Sequence, residues 1–176
     1  SKGIGADLAQ RLLERGYRVI SIARGKPEWD GEGAQHIEAD LLDSASVAAV
    51  AADIAARYDV THLVHNAGLI WPNLIEDAKP EDITGMARTW ALELAPHGIT
   101  VNVVAPGPVQ TDNFWGIIPK ESEREAALAK RIPVGRLGQV EDVTNAFLFF
   151  CDPANSFVTG QTLFVCGGSS IGTLTL

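Results

Sequence analysis

A chain of 176 residues that is 46% hydrophobic and 20% charged has the make-up of one compact domain with enough apolar mass for a core. Its formal charge of −8 argues against a polyanionic partner such as DNA or RNA, which needs clustered Lys and Arg. No apolar run, "AFLFFC" at 146–151 included, approaches the roughly 20 residues that span a bilayer, so no membrane partner is expected.

In chain order, strand-like and helix-like segments take turns. Leu8, Leu12 and Leu13 recur at helical spacing and Gly16 sits where a helix C-terminal glycine belongs, which predicts a helix over 5–15. "YRVISIA" at 17–23 reads as a strand and "HIEA" at 36–39 as a weaker one. Asp43 or Ser44 is placed to cap the Ala-rich helix that runs to Tyr58. "THLVHNAG" at 61–68 predicts a third strand, "MARTWALELA" a helix stopped by Pro96 to Gly98, and 99–105 an apolar strand covered on both faces. Helices near 121–130 and 141–151 and a last strand "QTLFVC" follow. Such alternation implies an α/β fold: a parallel sheet, helices on both faces, right-handed crossovers.

Single residues narrow the chemistry. Cys151 and Cys166, 15 positions apart, have neither zinc nor redox-pair spacing and read as buried free thiols of a reducing cytosol. His62 and His65 lie three apart on an expected strand, on opposite faces, so they do not chelate one metal and no metal site is expected. "SKGIG" at 1–5, opening directly onto a helix, looks like the second half of a loop that cradles nucleotide phosphates. Its backbone N–H groups, from about Gly3 to Ala6, would face a pyrophosphate with the helix dipole behind them.

Four blocks in order carry a family resemblance: "KGIGADLAQRLLERGYRVI", "HNAG", "LAPHGITVNVVAPGPVQTD" and "VTGQTLFVCGG". Together they resemble the short-chain dehydrogenase/reductase family, most closely its 3-oxoacyl-(acyl carrier protein) reductase-like branch. The resemblance implies a doubly wound, three-layer α/β/α Rossmann-like sheet and one dinucleotide-binding oxidoreductase domain over 1–176. It also implies two absences: a first strand ahead of Ser1, and a segment near 83–85 that in the family bears a Ser strand and a Tyr-x-x-x-Lys helix. Only Tyr17 and Tyr58 occur, followed four residues on by Ser21 and His62, so the catalytic Ser, Tyr and Lys have no numbers here.

Cofactor contacts carry over from the family as expectations. Lys2, Gly3, Ile4 and Gly5 would form the phosphate loop, Asp40 and Leu41 would flank the adenine, and Asn66, Ala67 and Gly68 would lie under the ribose. Pro106, Gly107, Val109 and Thr111 would form the nicotinamide-side loop. Asp40 as a plain helix cap and Asn66 as a tie between strands are the alternatives. At the end of the first strand stand Ala23 and Arg24 rather than a carboxylate. A guanidinium there suits the extra phosphate of NADP(H), with Lys2 as a second base, while NAD(H) stays open if Arg24 is a solvated loop cation.

Trp71, Phe114 and Trp115 flank the expected substrate opening, or simply cover the core. Cys166 replaces an aspartate that the family often carries. The implied activity is hydride transfer between NAD(P)(H) and a carbonyl or secondary alcohol, such as a 3-oxoacyl thioester or similar small ketone. Homotetramer or homodimer assembly and a cytoplasmic location go with it. The alternative is a dinucleotide-binding sensor or subunit partner without turnover.

Overall fold

The computed structural model describes residues 2–66 and 80–172. The chain divides into two compact units, Ser1–Asn66 and Ala67–Leu176.

In the first unit, α1 (Gly3–Glu14) leads into β1 (Val19–Ala23), β2 (Ala34–Glu38) and α2 (Ser44–Arg57). The end of α1 is dictated locally. Gly16 takes a left-handed φ of 82°, its N–H donates to Leu13 O at 2.8 Å, and Tyr17 N–H donates to Leu12 O at 3.0 Å. These two bonds close a Schellman turn that satisfies the last carbonyls and aims the chain back along the helix. Leu8 and Ala9 are the buried face of α1; burying Leu8 is worth about 1.5–3 kcal/mol. β1 and β2 pair in parallel, Val19 opposite Ala34 through Ala23 opposite Glu38. Asp43, not Ser44, caps α2, its carboxylate accepting from Ala45 N at 3.0 Å.

Residues 61–66 form no strand. A strand exists only as one side of a hydrogen-bonded ladder, and this segment has no ladder partner among the described residues. Leu63 is correspondingly 75% exposed.

The second unit holds α3 (Pro80–Leu94), β3 (Val103–Pro106), α4 (Asp112–Trp115), α5 (Glu123–Arg131), α6 (Val140–Cys151) and β4 (Thr162–Val165). α3 runs unbroken across residues 83–85, where sequence suggests a join. It ends in a 3₁₀ turn, Ala95–His97, with Gly98 left-handed at φ 72°, the stop that Pro96 and Gly98 foretell. The 99–105 strand shrinks to a four-residue β3, and it is half-buried rather than covered on both faces. β3 pairs in parallel with β4, Val103 opposite Thr162 through Pro106 opposite Val165. Beyond that ladder, side chains fasten the preceding segment: Val101 N–H donates to Thr159 Oγ1, and Asn102 donates to Val158 O and accepts from Gln161 N.

Among the described residues the expected parallel sheet is represented by two two-stranded parallel pieces, one per unit. The core of the second unit gathers around α6, where Val143 and Thr144 are wholly buried and the Thr144 hydroxyl is satisfied by Val140 O at 3.1 Å. No helix among the described residues is long and apolar enough to cross a membrane.

Candidate nucleotide-binding site

The start of α1 differs from the starts of α2, α4, α5 and α6 in what its amides are left to do. Lys2, the N-cap, is extended and supplies no side-chain hydrogen bond, and the first turn carries no carboxylate. By contrast Asp43 caps α2, Thr111 caps α4, Ser122 caps α5 and a Gln139–Asp142 capping box closes α6. An uncapped first turn leaves N–H donors and a positive dipole end for an external anion. Gly3 takes φ 57°, a conformation that disfavours any side chain. A Cβ on Gly5 would run into Asn66 Nδ2, with Asn66 Cγ 3.1 Å away. The loop is thus stripped of side chains on both glycines, and the 61–66 segment closes against it. That arrangement fits a dinucleotide pyrophosphate.

The other described first-unit candidates follow the carboxyl ends of β1 and β2. Arg24 follows β1 and is exposed, with no ion-pair partner among the described residues. Ala39 N–H donates to Ala23 O at 3.2 Å, so the carboxyl ends of β1 and β2 stay together and Arg24 and Asp40 leave from one edge. Asp40 accepts from Leu42 N at 3.0 Å, and Leu41 is 43% exposed. The α2 cap is Asp43, so the capping alternative for Asp40 does not hold; its bond makes a local turn instead. Ala67, Gly68 and Trp71 lie outside the described residues.

In the second unit the 106–111 loop is pinned from both sides. Gly107 N–H donates to Val165 O at 3.0 Å, and a Cβ there would sit 2.8 Å from Cys166 Cα, so only glycine fits. Gly138 N–H donates to Pro108 O, and Gln110 N–H to Gly138 O, each at 2.9 Å. Val109 is 7% exposed and its side chain belongs to the core, which leaves its backbone as the part of it that can meet a ligand. Thr111 Oγ1 accepts from Phe114 N at 3.3 Å and caps α4, which keeps its hydroxyl hydrogen free to donate elsewhere. Phe114 and Trp115 are half-buried and packed edge to face at 5.0 Å, with Lys120 Nζ 5.3 Å from the Trp115 ring.

Two features emerge only in the structure: α4, a single turn, and a cleft of about 310 Å³ bounded by Pro108, Arg136, Asp142, Phe164 and Cys166. Arg136 grips Asp142 with two bonds of 2.6 and 2.9 Å; these, with the Gln139 N–H bond, lower the carboxyl to about 2. Cys166 is half-exposed, not buried. The Ser170 hydroxyl 3.1 Å from its sulfur is the main reason its thiol falls to about 7. Arg136 and Asp142 are remote from Cys166 in sequence, so the fold brings them to one cleft, whereas Ser170 follows Cys166 by four residues.

Neither tyrosine lies near the nucleotide end of the first unit. Tyr17 precedes β1 and meets His62 edge-on at 5.4 Å. Tyr58 donates to Gln35 Oε1 at 2.5 Å and lies between Arg18 and Arg57, whose guanidinium carbons are 5.2 and 5.1 Å from the ring centre. Gln35 is the second residue of β2, so Tyr58 stands at the amino end of the strands, opposite the edge from which Arg24 and Asp40 leave. A proton donor for carbonyl chemistry is not found in either phenol.

A family model described as short chain dehydrogenase matches residues 1–85, and one described as enoyl-(acyl carrier protein) reductase matches residues 77–170. The chain belongs to the short-chain dehydrogenase/reductase family. With it come the Rossmann-like α/β fold and NAD(P)-linked oxidoreductase chemistry on CH–OH groups. It is 26% identical to 3-oxoacyl-(acyl-carrier-protein) reductase of Escherichia coli (strain K12), over 230 positions that take in 96% of this chain and 93% of the relative. It is 45% identical over 89 residues to a hydroxy(phenyl)methylsuccinyl-CoA dehydrogenase subunit of Thauera aromatica, a match spanning 51% of this chain and about a third, 35%, of that relative. Among solved structures it resembles one titled a putative NAD(P)-dependent gluconate 5-dehydrogenase from Beutenbergia cavernae with bound NADP, with TM-score 0.83, 25% identity, and 97% and 94% of the two chains covered. The 230-position alignment exceeds the 176 residues of the chain, so the E. coli short-chain reductase carries stretches with no counterpart here.

Proposed function

We propose that this short-chain dehydrogenase/reductase moves a hydride between NADP(H) and a ketone or secondary alcohol of the 3-oxoacyl thioester kind. The observation that carries the reading is the uncapped, carboxylate-free tip of α1, sealed by Gly5 against Asn66. When bound, the nicotinamide supplies or accepts the hydride. The chain's own residues hold and orient. Amides from Gly3 onward bind the pyrophosphate, with Lys2 and Ile4 in the same turn. Arg24 takes the ribose phosphate, Asp40 and Leu41 flank the adenine, and Asn66, Ala67 and Gly68 support the ribose. Pro106, Gly107, the Val109 backbone and the Thr111 hydroxyl fix the carboxamide and so the ring face presented, while Phe114 and Trp115, with Trp71, line the approach of the substrate.

The proton donor belongs to a segment interrupting 77–85, the stretch where the two family models overlap. Longer relatives and the amino-end position of Tyr17 and Tyr58 support this placement. Assembly is homotetrameric or homodimeric, with the exposed Trp90 and Leu92 of α3 available to a second copy, and the location is cytoplasmic. The experiment is to sequence the transcript across codons 77–86 and assay its product for NADPH consumption with 3-oxoacyl thioesters and simple ketones. A Tyr-x-x-x-Lys in the restored stretch together with NADPH turnover supports the reading. An uninterrupted transcript whose product binds NADPH without turnover supports the sensor instead.

A further inference from the structure

We infer that Arg136, through its clasp on Asp142, is a positioning residue for the nicotinamide-side loop 106–111; the inference rests on the reading of that loop above. The chain of contacts is short. Arg136 donates to both carboxylate oxygens of Asp142, at 2.6 and 2.9 Å, and to Leu137 O at 3.0 Å. Asp142 also accepts from Gln139 N at 2.8 Å. One carboxylate therefore gathers both flanks of Gly138, Arg136 before it and Gln139 after it. Gly138 is the residue that meets the loop: it donates to Pro108 O and accepts from Gln110 N, each at 2.9 Å, in a parallel bridge with Val109. A Cβ on Gly138 would stand 3.1 Å from Val109 Cγ2 and 3.3 Å from Pro108 O, so the two backbones meet with little slack.

The two halves of the loop are held differently. Its near half continues β3, and Gly107 N–H donates to Val165 O in line with the β3–β4 ladder. Its far half, from Pro108 to Gln110, rests on Gly138, whose own segment 132–139 is neither helix nor strand. An irregular segment takes its rigidity from what it is tied to. Asp142 lies in the first turn of α6, beside the wholly buried Val143 and Thr144, so the Arg136 fork ties this segment to the core helix of the unit. A bidentate Arg–carboxylate pair fixes direction as well as distance, and so sets where Gly138, Gln110 and the adjoining Thr111 stand. The Arg136 side chain is 53% exposed, so it acts through these bonds and not by filling the core.

Calorimetric titration of the wild-type chain, Arg136→Met, Arg136→Lys and Arg57→Met with NADP⁺ and with 2′-phospho-ADP-ribose, which is NADP⁺ without its nicotinamide, tests this. Arg57→Met removes an Arg–Asp pair from the first unit instead. The wild-type chain is expected to hold NADP⁺ more tightly than the fragment. Arg136→Met should weaken NADP⁺ about threefold, as loss of one exposed ion pair does, and leave the fragment's affinity unchanged. Arg136→Lys, which keeps the charge without the fork, recovers part of the loss, and Arg57→Met alters neither ligand. Should Arg136→Met not fold, Arg136→Lys alone is read, with NADP⁺ weakened and the fragment unchanged. A loss shared equally by the two ligands, no loss for either, or an equal loss in Arg57→Met marks a merely structural pair and overturns the role of Arg136 alone. A wild-type chain that binds NADP⁺ no better than the fragment overturns the loop's hold on the nicotinamide and Arg136 with it, and one that binds neither overturns the cofactor reading.

Discussion

Gly5 is placed so that any Cβ it carried would collide with Asn66 Nδ2, which ties the first turn of α1 to the far end of the same unit. Two energies compete in Gly5→Ala. Alanine is about 1 kcal/mol better than glycine inside a helix, while displacing a packed side chain costs about 1–3 kcal/mol. The single variant should therefore be less stable than the parent by about 0–2 kcal/mol, with nucleotide affinity reduced because Asn66 has swung out. In an Asn66→Ala background the collision is gone, and Gly5→Ala should become stabilising by about 1 kcal/mol. Urea unfolding of the four members of this cycle checks it; equal effects of Gly5→Ala in both backgrounds contradict the contact.

The Arg136–Asp142 pair predicts how acid acts on the second unit. With its carboxyl at about 2 instead of 3.8, Asp142 contributes stability that is present in full above about pH 4 and lost as pH falls toward 2. The same carboxylate accepts from Gln139 N at 2.8 Å and starts α6. Asp142→Asn should cost about 1 kcal/mol at neutral pH, the worth of a helix cap, and should flatten the stability profile between pH 4 and 2. Thermal unfolding across that range decides the matter: a variant that keeps the parent's slope refutes the assignment.

Two cysteines of one chain should differ in reactivity. Cys166, held at about 7 by Ser170, is half-exposed, whereas Cys151 is buried in α6 and burial pushes its thiol up. Iodoacetamide should modify Cys166 first, with a rate midpoint near pH 7, and Ser170→Ala should move that midpoint toward the ordinary thiol value near 8.5. Mass mapping of the alkylated peptides reads both outcomes; equal labelling of the two thiols in the folded protein counts against this geometry.

What was legible in the sequence was whatever is decided within a few residues. Gly16 and Gly98 mark helix ends because only a glycine takes their left-handed φ cheaply, and Asp43 marks a helix start through its own side chain. β1, β2 and β4 fall within a few residues of their expected places. The 61–66 segment is β-rich in composition yet has no ladder partner among the described residues, since pairing is set by a neighbour and not by the segment itself. The motif does not reveal that the side chain of Val109, bridged to Gly138, enters the core. The Arg136–Asp142 pair and the Ser170 contact that softens Cys166 span six and four residues, but they involve irregular segments where no helix or strand period announces them.

Binding of the dinucleotide itself is the most direct measure of the account. In calorimetric titration of the wild-type chain, NADP⁺ should bind at one saturable site per chain, tighter than NAD⁺ by about tenfold, or 1.4 kcal/mol, and a bulky replacement at the α1 tip, Gly3→Val, should abolish both. Absence of heat from either nucleotide at millimolar concentration, with the protein folded, would contradict the assignment of the α1 tip to a pyrophosphate.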